Sequence, residues 1–162
     1  PFASLDPSLR DDVRNDVVTA LRARNAAAVL VTHERDEALA LGDRIAVMFA
    51  GRVLQIDEPA EVYERPVDRF VAEFLGEVSF LPGEPGEVLM ARPHDLRLSA
   101  GGDDIVTSRR YLGSAWRFDV RRRDGSLVEV GVPVGPDDRA FEIGTPCTVA
   151  IAATHDLHRL PA

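Results

Sequence analysis

Lysine is absent from the 162 residues, and all 19 basic side chains are arginine. That absence excludes a phosphate-binding loop of the pattern Gly-x-x-x-x-Gly-Lys-Ser/Thr in this stretch, because nothing fills the lysine position. Cysteine occurs once, at Cys147, so no intrachain disulfide can form, which fits a reducing compartment. Within the apolar run Cys147-Thr148-Val149-Ala150-Ile151 it reads as a small core residue rather than a nucleophile. No apolar run approaches the roughly 20 residues of a membrane-spanning helix. Positive charge is outweighed, with 27 acidic residues giving a net charge of −8. Such a chain lacks the long-range attraction to phosphate backbones, so no nucleic acid is expected as a partner. It opens on Pro1, without an initiator Met or an apolar leader, and is expected to be part of something longer.

What is present supports a packed fold, since 45% of the residues are apolar. From residue 8 to 24 the apolar positions Leu9, Val13, Val17 and Leu21 recur every fourth residue, one face of an amphipathic helix. Asp6 suits its N-cap and Pro7 its first position. Residues 27–31 read as a buried strand of a parallel sheet, apolar on both faces. Residues 36–41 predict a short helix closed by Gly42, and residues 45–49 a strand that turns at Gly51 into residues 53–56. Pro59 starts another helix, Pro66 stops it, and residues 67–75 form a last one ending at Gly76. After a turn-rich linker at residues 81–86 the period falls to two. Strands are expected at residues 88–91, 96–98, 116–120, 127–132 and 148–152, with Asp124-Gly125 as a hairpin turn.

Two motifs stand out in the first half. Ser4-Leu5-Asp6-Pro7-Ser8-Leu9-Arg10 taken alone is a helix cap. Val31-Thr32-His33-Glu34-Arg35-Asp36-Glu37-Ala38 places a histidine just past a strand, where open α/β sheets collect ligand-binding residues. Together they resemble the D-loop and the switch-histidine loop of ATP-binding-cassette (ABC) ATPases. Gly51-Arg52-Val53-Leu54-Gln55-Ile56, Pro59-Ala60-Glu61-Val62-Tyr63, Pro66 and Phe70-Val71-Ala72-Glu73-Phe74-Leu75-Gly76 resemble the end of that domain in importers of sugars, polyamines, sulfate, thiamine and ferric iron. Ala91-Arg92-Pro93-His94-Asp95-Leu96-Arg97-Leu98, with Tyr111-Leu112-Gly113-Ser114, looks like the regulatory TOBE domain that follows. The chain departs from the pattern in two places: Asp57-Glu58 stands before Pro59, where small residues are usual, and His94 where Glu is.

The resemblance implies an α/β fold, an incomplete P-loop NTPase-type nucleotide-binding domain over residues 1–81, followed by a small all-β TOBE/OB-like domain over residues 82–162. It implies that His33 contacts the γ-phosphate and the attacking water, that Asp6 lies at the contact between two ATPase subunits, and that Ser4 supports that loop. The function implied is the C-terminal portion of the ATP-hydrolysing subunit of an ABC importer, leaning to ferric iron. Its cofactors would be ATP and Mg²⁺. Its partners would be a second copy in a homodimer and membrane permease subunits, with the protein cytoplasmic and peripheral on the inner face of the cell membrane. In the family the hydrolytic Glu directly precedes the Pro corresponding to Pro1, and the signature and glutamine loops lie upstream. These 162 residues alone are therefore expected to bind ATP weakly and not to act as an enzyme. Two alternatives stay open: a stand-alone sensor of a small oxyanion, and an OB-like nucleic-acid binder, for which Tyr111, Trp116 and Phe118 are few. No metal site is expected, because His155 and His158 have no Cys or carboxylate companions at ligand spacing. Arg121-Arg122-Arg123 reads as an exposed hairpin end.

Overall fold

The computed structural model describes residues 7–135, 141–152 and 156–162. They fall into two compact units, divided after Val67.

In the first unit the four-residue apolar spacing produces helix α1, Pro7–Ala23. It closes on Asn25, whose φ of 50° is left-handed. Asn25 N–H donates to Arg22 O at 3.0 Å and Ala26 N–H to Leu21 O at 3.0 Å, the paired bonds of a Schellman cap. Helix α2, Arg35–Leu41, ends at Gly42, as expected. The cap is extended rather than left-handed, and glycine is needed for space: a Cβ would stand 3.0 Å from Arg44 O and 3.1 Å from Ala38 O. Strands β1 (Ile45–Phe49) and β2 (Arg52–Asp57) form an antiparallel hairpin around Ala50 and Gly51, both at positive φ (48° and 74°). Such a two-residue turn matches the twist of paired strands. Helix α3, Pro59–Glu64, starts on Pro59 and buries Val62 completely. The side chain of Gln55 ties this corner, its Nε2 donating to Arg65 O at 3.0 Å and its Oε1 accepting from Val67 N–H at 2.9 Å.

One expectation fails here. Residues 27–31 form no strand; they run without regular structure beside no described strand, with Val29 93% and Val31 85% exposed. The sequence pattern is that of a buried parallel strand, but a strand needs a neighbour. The only sheet among the described residues of this unit is the antiparallel β1–β2 pair, and it takes no third member.

The second unit opens with helix α4, Arg69–Leu75, where Asp68 caps the first turn by accepting from Val71 N–H at 2.8 Å. Strands β3 (Ser79–Pro82), β4 (Glu87–Ala91) and β9 (His158–Pro161) form one sheet in the order β3-β4-β9. Strands β5 (Leu96–Tyr111), β6 (Ala115–Arg121), β7 (Leu127–Pro133) and β8 (Pro146–Ile151) form a second, in the order β7-β6-β5-β8. Both faces of the first sheet are apolar. Met90 and Leu160 pack with Ala72 of α4, while Leu81 and Ala91 join Leu96, Val106, Phe118, Val120, Val128, Val130, Phe141 and Cys147 in the main core. Alternation along each strand sorts the side chains in this way. Because α4 and β3 are built into this unit, the compact division comes before α4, earlier in the chain than the Leu81/Pro82 boundary that the resemblance implies. Cys147 is fully buried, and burial, then the Asp104 charge, raises its thiol pKa.

Strand β5 is far longer than residues 96–98 because a bulge carries it through a glycine pair. Ala100 and Asp104 both oppose Cys147 on β8, so residues 101–103 loop out of the ladder. Asp104, 9% exposed, uses the bend: its carboxylate accepts from Val149 N–H at 3.0 Å and Arg123 N–H at 3.1 Å, joining β8 to the β6–β7 turn. Gly102 (φ 114°) leaves no room for a side chain, since a Cβ would collide with the Thr148 hydroxyl and lie 2.8 Å from Cys147 O. Gly101 (φ 81°) faces open space. Gly102→Ala should therefore destabilise the second unit by about 2–3 kcal/mol in urea unfolding, and Gly101→Ala by about 1 kcal/mol from backbone strain alone. Equal effects would mean that the close approach at Gly102 carries no weight.

Candidate functional site

Of the residues expected at a nucleotide site, Ser4 and Asp6 lie outside the described residues. His33 is described, exposed, on the connection between the irregular residues 26–32 and α2. The turn around it is shaped by its neighbour: the Thr32 hydroxyl oxygen accepts from Glu34 N–H at 3.0 Å, closing a small side-chain turn. The imidazole takes no part in that bond. It is exposed, and a neutral imidazole can donate a hydrogen bond to an oxyanion.

The Asp57-Glu58 departure is locally satisfied, with Asp57 ending β2 and its carboxylate accepting from Glu58 N–H at 3.1 Å. His94 is exposed, its Nε2 3.6 Å from Asp95 Oδ1. Among the described residues no group of three or more His, Cys, Asp or Glu side chains is arranged to hold a metal; His155 lies outside them.

The second unit contains two constructions that the sequence reading missed. The first is Arg92, which caps the turn Pro93–Asp95 between β4 and β5 and is 2% exposed. Its Nη1 reaches three carbonyls at the end of α4: Ala72 O at 3.0 Å, Gly76 O at 3.0 Å and Glu77 O at 3.2 Å. These are the acceptors that a helix leaves without partners at its C-terminus, where a positive charge is also favourable. The turn is held in return by Asp95, whose Oδ2 accepts from Arg92 N–H at 2.7 Å and whose backbone O accepts from Ala152 N–H at 2.7 Å. The Arg92-Pro93-His94-Asp95 segment is thus a clamp on α4. Spacing gives no hint of it, because the partners lie up to 20 residues away.

The second is a charged cluster on the outer face of the four-stranded sheet. Arg117 Nε lies 3.0 Å from Glu77 Oε2 and 3.3 Å from Glu129 Oε1, and Arg110 Nη2 lies 3.2 Å from Glu129 Oε2 and 3.7 Å from Glu77 Oε1. Asp119 stands opposite Glu129 in the ladder, 4.0 Å from Arg110. Burial first, then the neighbouring Glu77 carboxyl and its charge, pushes the Glu129 carboxyl up to about 7. The neighbouring Glu129 carboxyl, with help from Arg117, holds Glu77 below its usual range. One signal was available in the sequence: Gly131 interrupts a strand, and a Cβ there would run into the Arg117 guanidinium.

A cavity among the described elements of the β unit has a volume of about 350 Å³ and is lined by Leu81, Leu89, Leu96, Val149, Arg122 and Asp124 among others.

The family model of the TOBE domain matches residues 89–158, from β4 into β9. Curated relatives match along most of the chain. The spermidine/putrescine import ATP-binding protein of Pseudomonas aeruginosa is 33% identical over 94% of this chain and 50% of its own length. That of Rubrobacter xylanophilus is 30% identical over 97% of this chain and 51% of its own. The sulfate/thiosulfate import ATP-binding protein of Nocardia farcinica is 39% identical over 75% of this chain and 35% of its own. The chain thus spans about half the length, or less, of these relatives. With a TOBE domain in its second unit and importer relatives along both, the chain belongs to the family of ABC-importer ATP-binding subunits.

Proposed function

We propose that this chain is the C-terminal portion of the ATP-hydrolysing subunit of an ABC importer, its first unit completing a nucleotide-binding domain of the P-loop NTPase type. The observation that carries the reading is the apolar stretch at residues 27–31, written as an interior strand yet without regular structure and exposed, which leads directly into Thr32 and His33. Such a stretch fits a sheet whose central strands come from elsewhere in the subunit. Inserted there, it would hold His33 at the carboxyl end of a strand, the edge at which α/β sheets bind nucleotides. His33 is then the γ-phosphate sensor, Asp6 the contact to the second subunit of a homodimer, and Ser4 the support of that loop. ATP and Mg²⁺ are bound by the whole subunit, which sits on the inner face of the membrane against permease subunits.

The relatives named above import polyamines or sulfate, a cation and an anion. What they share with this chain is therefore not a solute site, and no solute is assigned to it. Hydrolysis measurements test the proposal. The intact subunit should show Mg²⁺-dependent ATP turnover, and the 162-residue chain none above background, since it holds no lysine-anchored phosphate loop. Turnover by the chain alone, or none by the intact subunit, would overturn the reading.

A further inference from the structure

The cavity of the second unit has an apolar floor built where two strand ladders meet. Leu81 of β3 stands opposite Leu89 of β4 in one ladder, and Leu96 of β5 opposite Ile151 of β8 in the other. Leu81 and Leu96 belong to the main core, whereas Ile151 is 43% exposed although it is apolar. The volume of about 350 Å³ lies at the small end of the roughly 300–1,000 Å³ range of ligand sites, so an occupant must be small.

The rim is the turn between β6 and β7, which contributes Arg122 and Asp124. That turn is fixed by its own bonds. Arg122 N–H donates to Ser126 O at 2.8 Å, Gly125 N–H to Arg122 O at 2.9 Å, and Ser126 N–H to Asp124 Oδ1 at 2.9 Å. It is also tied to the opposite wall, because the Asp104 carboxylate accepts from both Arg123 N–H and Val149 N–H. On this rigid rim the half-buried Arg122 guanidinium stands apart. Arg110, Arg117, Arg123 and Arg159 of the same unit hold carboxylates, whereas Arg122 makes no side-chain hydrogen bond or ion pair to any of the described residues. Its donors remain available at the mouth of an apolar cavity. Asp124 is bound to Ser126 through Oδ1, and its Oδ2 keeps its capacity to accept.

We propose that this cavity binds a free aliphatic α-amino acid of about leucine's size. Its carboxylate meets Arg122, its ammonium meets Asp124, and its side chain covers Leu81, Leu89, Leu96 and Ile151. A guanidinium receives a carboxylate through two parallel hydrogen bonds, and the carboxylate beside it matches the second charge of a zwitterion. An inorganic oxyanion would meet the Asp124 charge and leave the apolar floor uncovered, and a polyamine would meet the Arg122 charge. The solutes named for the relatives therefore suit this site less well than an apolar amino acid. Every residue of the site lies in the second unit, so the inference stands or falls separately from the ATPase reading.

Titration of the full chain with L-leucine, followed by amide NMR, tests the site. The amides of residues 122–126 and 149–151 should shift and saturate, in the unsubstituted chain and equally in Arg121→Gln, whose side chain lies outside the cavity. Arg122→Gln and Asp124→Asn should each weaken leucine by about tenfold or more, the loss of one charge-assisted contact. Asparagine keeps the oxygen that accepts from Ser126, so the turn is preserved and the spectrum of the variant reports it. Three analogues divide the recognition: 4-methylpentanoate lacks the ammonium, 3-methylbutylamine the carboxylate, and L-alanine most of the aliphatic body. Each should bind at least about tenfold more weakly than leucine. The proposal is overturned if leucine gives no saturable shift, or if either rim variant binds it unchanged. It is equally overturned if one of the analogues, or sulfate, binds as tightly as leucine.

Discussion

Arg92→Ala is expected to remove about 3 kcal/mol or more from the stability of the second unit, a large share of the 5–15 kcal/mol typical of a domain. The buried guanidinium meets three carbonyls at the end of α4, and alanine leaves them facing a cavity. Two further substitutions divide the loss. Arg92→Met keeps most of the volume and removes every donor, so it should cost nearly as much as alanine if the hydrogen bonds dominate. Arg92→Lys retains the charge at the helix end and three donors on one nitrogen, the same number as the carbonyls now held by a single Nη1. It should recover part of the loss. Urea unfolding followed by Trp116, the only tryptophan and a β6 residue, reports on this unit. A methionine variant close to the unsubstituted protein would mean that Arg92 acts by packing alone.

That role for Arg92 lay beyond what the sequence could show, although its motif was conspicuous. Periodicity reports which residues face a core, so α1, α2, the β1–β2 hairpin and most strands of the second unit were legible. It reports nothing about partners distant along the chain. The short edge strands β3 and β9 escaped because four residues ending in proline are too few for alternation to register. Most of β5 escaped because Gly101 and Gly102 look like a turn, whereas they form a bulge inside one strand. The single misjudged element, residues 27–31, was misjudged in an instructive way. Its composition records an interior position, and the described residues contain no sheet to receive it. At the candidate site only His33 could be placed, and the turn beside it owes its form to Thr32.

That independence of the turn from the imidazole makes His33→Ala a clean test in the intact subunit. The substitution should lower kcat for ATP by on the order of 10²-fold or more, with ATP affinity changed little. A contact to the terminal phosphoryl group strengthens as its oxygens gain charge, so deleting it is felt mainly in the transition state. Stability should stay within about 0.5 kcal/mol, as for exposed sites generally, because the Thr32 hydroxyl still accepts from Glu34 N–H. Thr32→Val provides the complementary case. It removes the oxygen that shapes the turn and keeps the imidazole, so it should lower kcat through misplacement, together with some loss of local order. Two results would count against the assignment of His33. A fall in affinity at constant kcat would make it a binding residue, and a large loss of stability would make it a structural one. If both substitutions left turnover intact, the switch-histidine resemblance would have no functional counterpart at this position, even with the family membership unchanged.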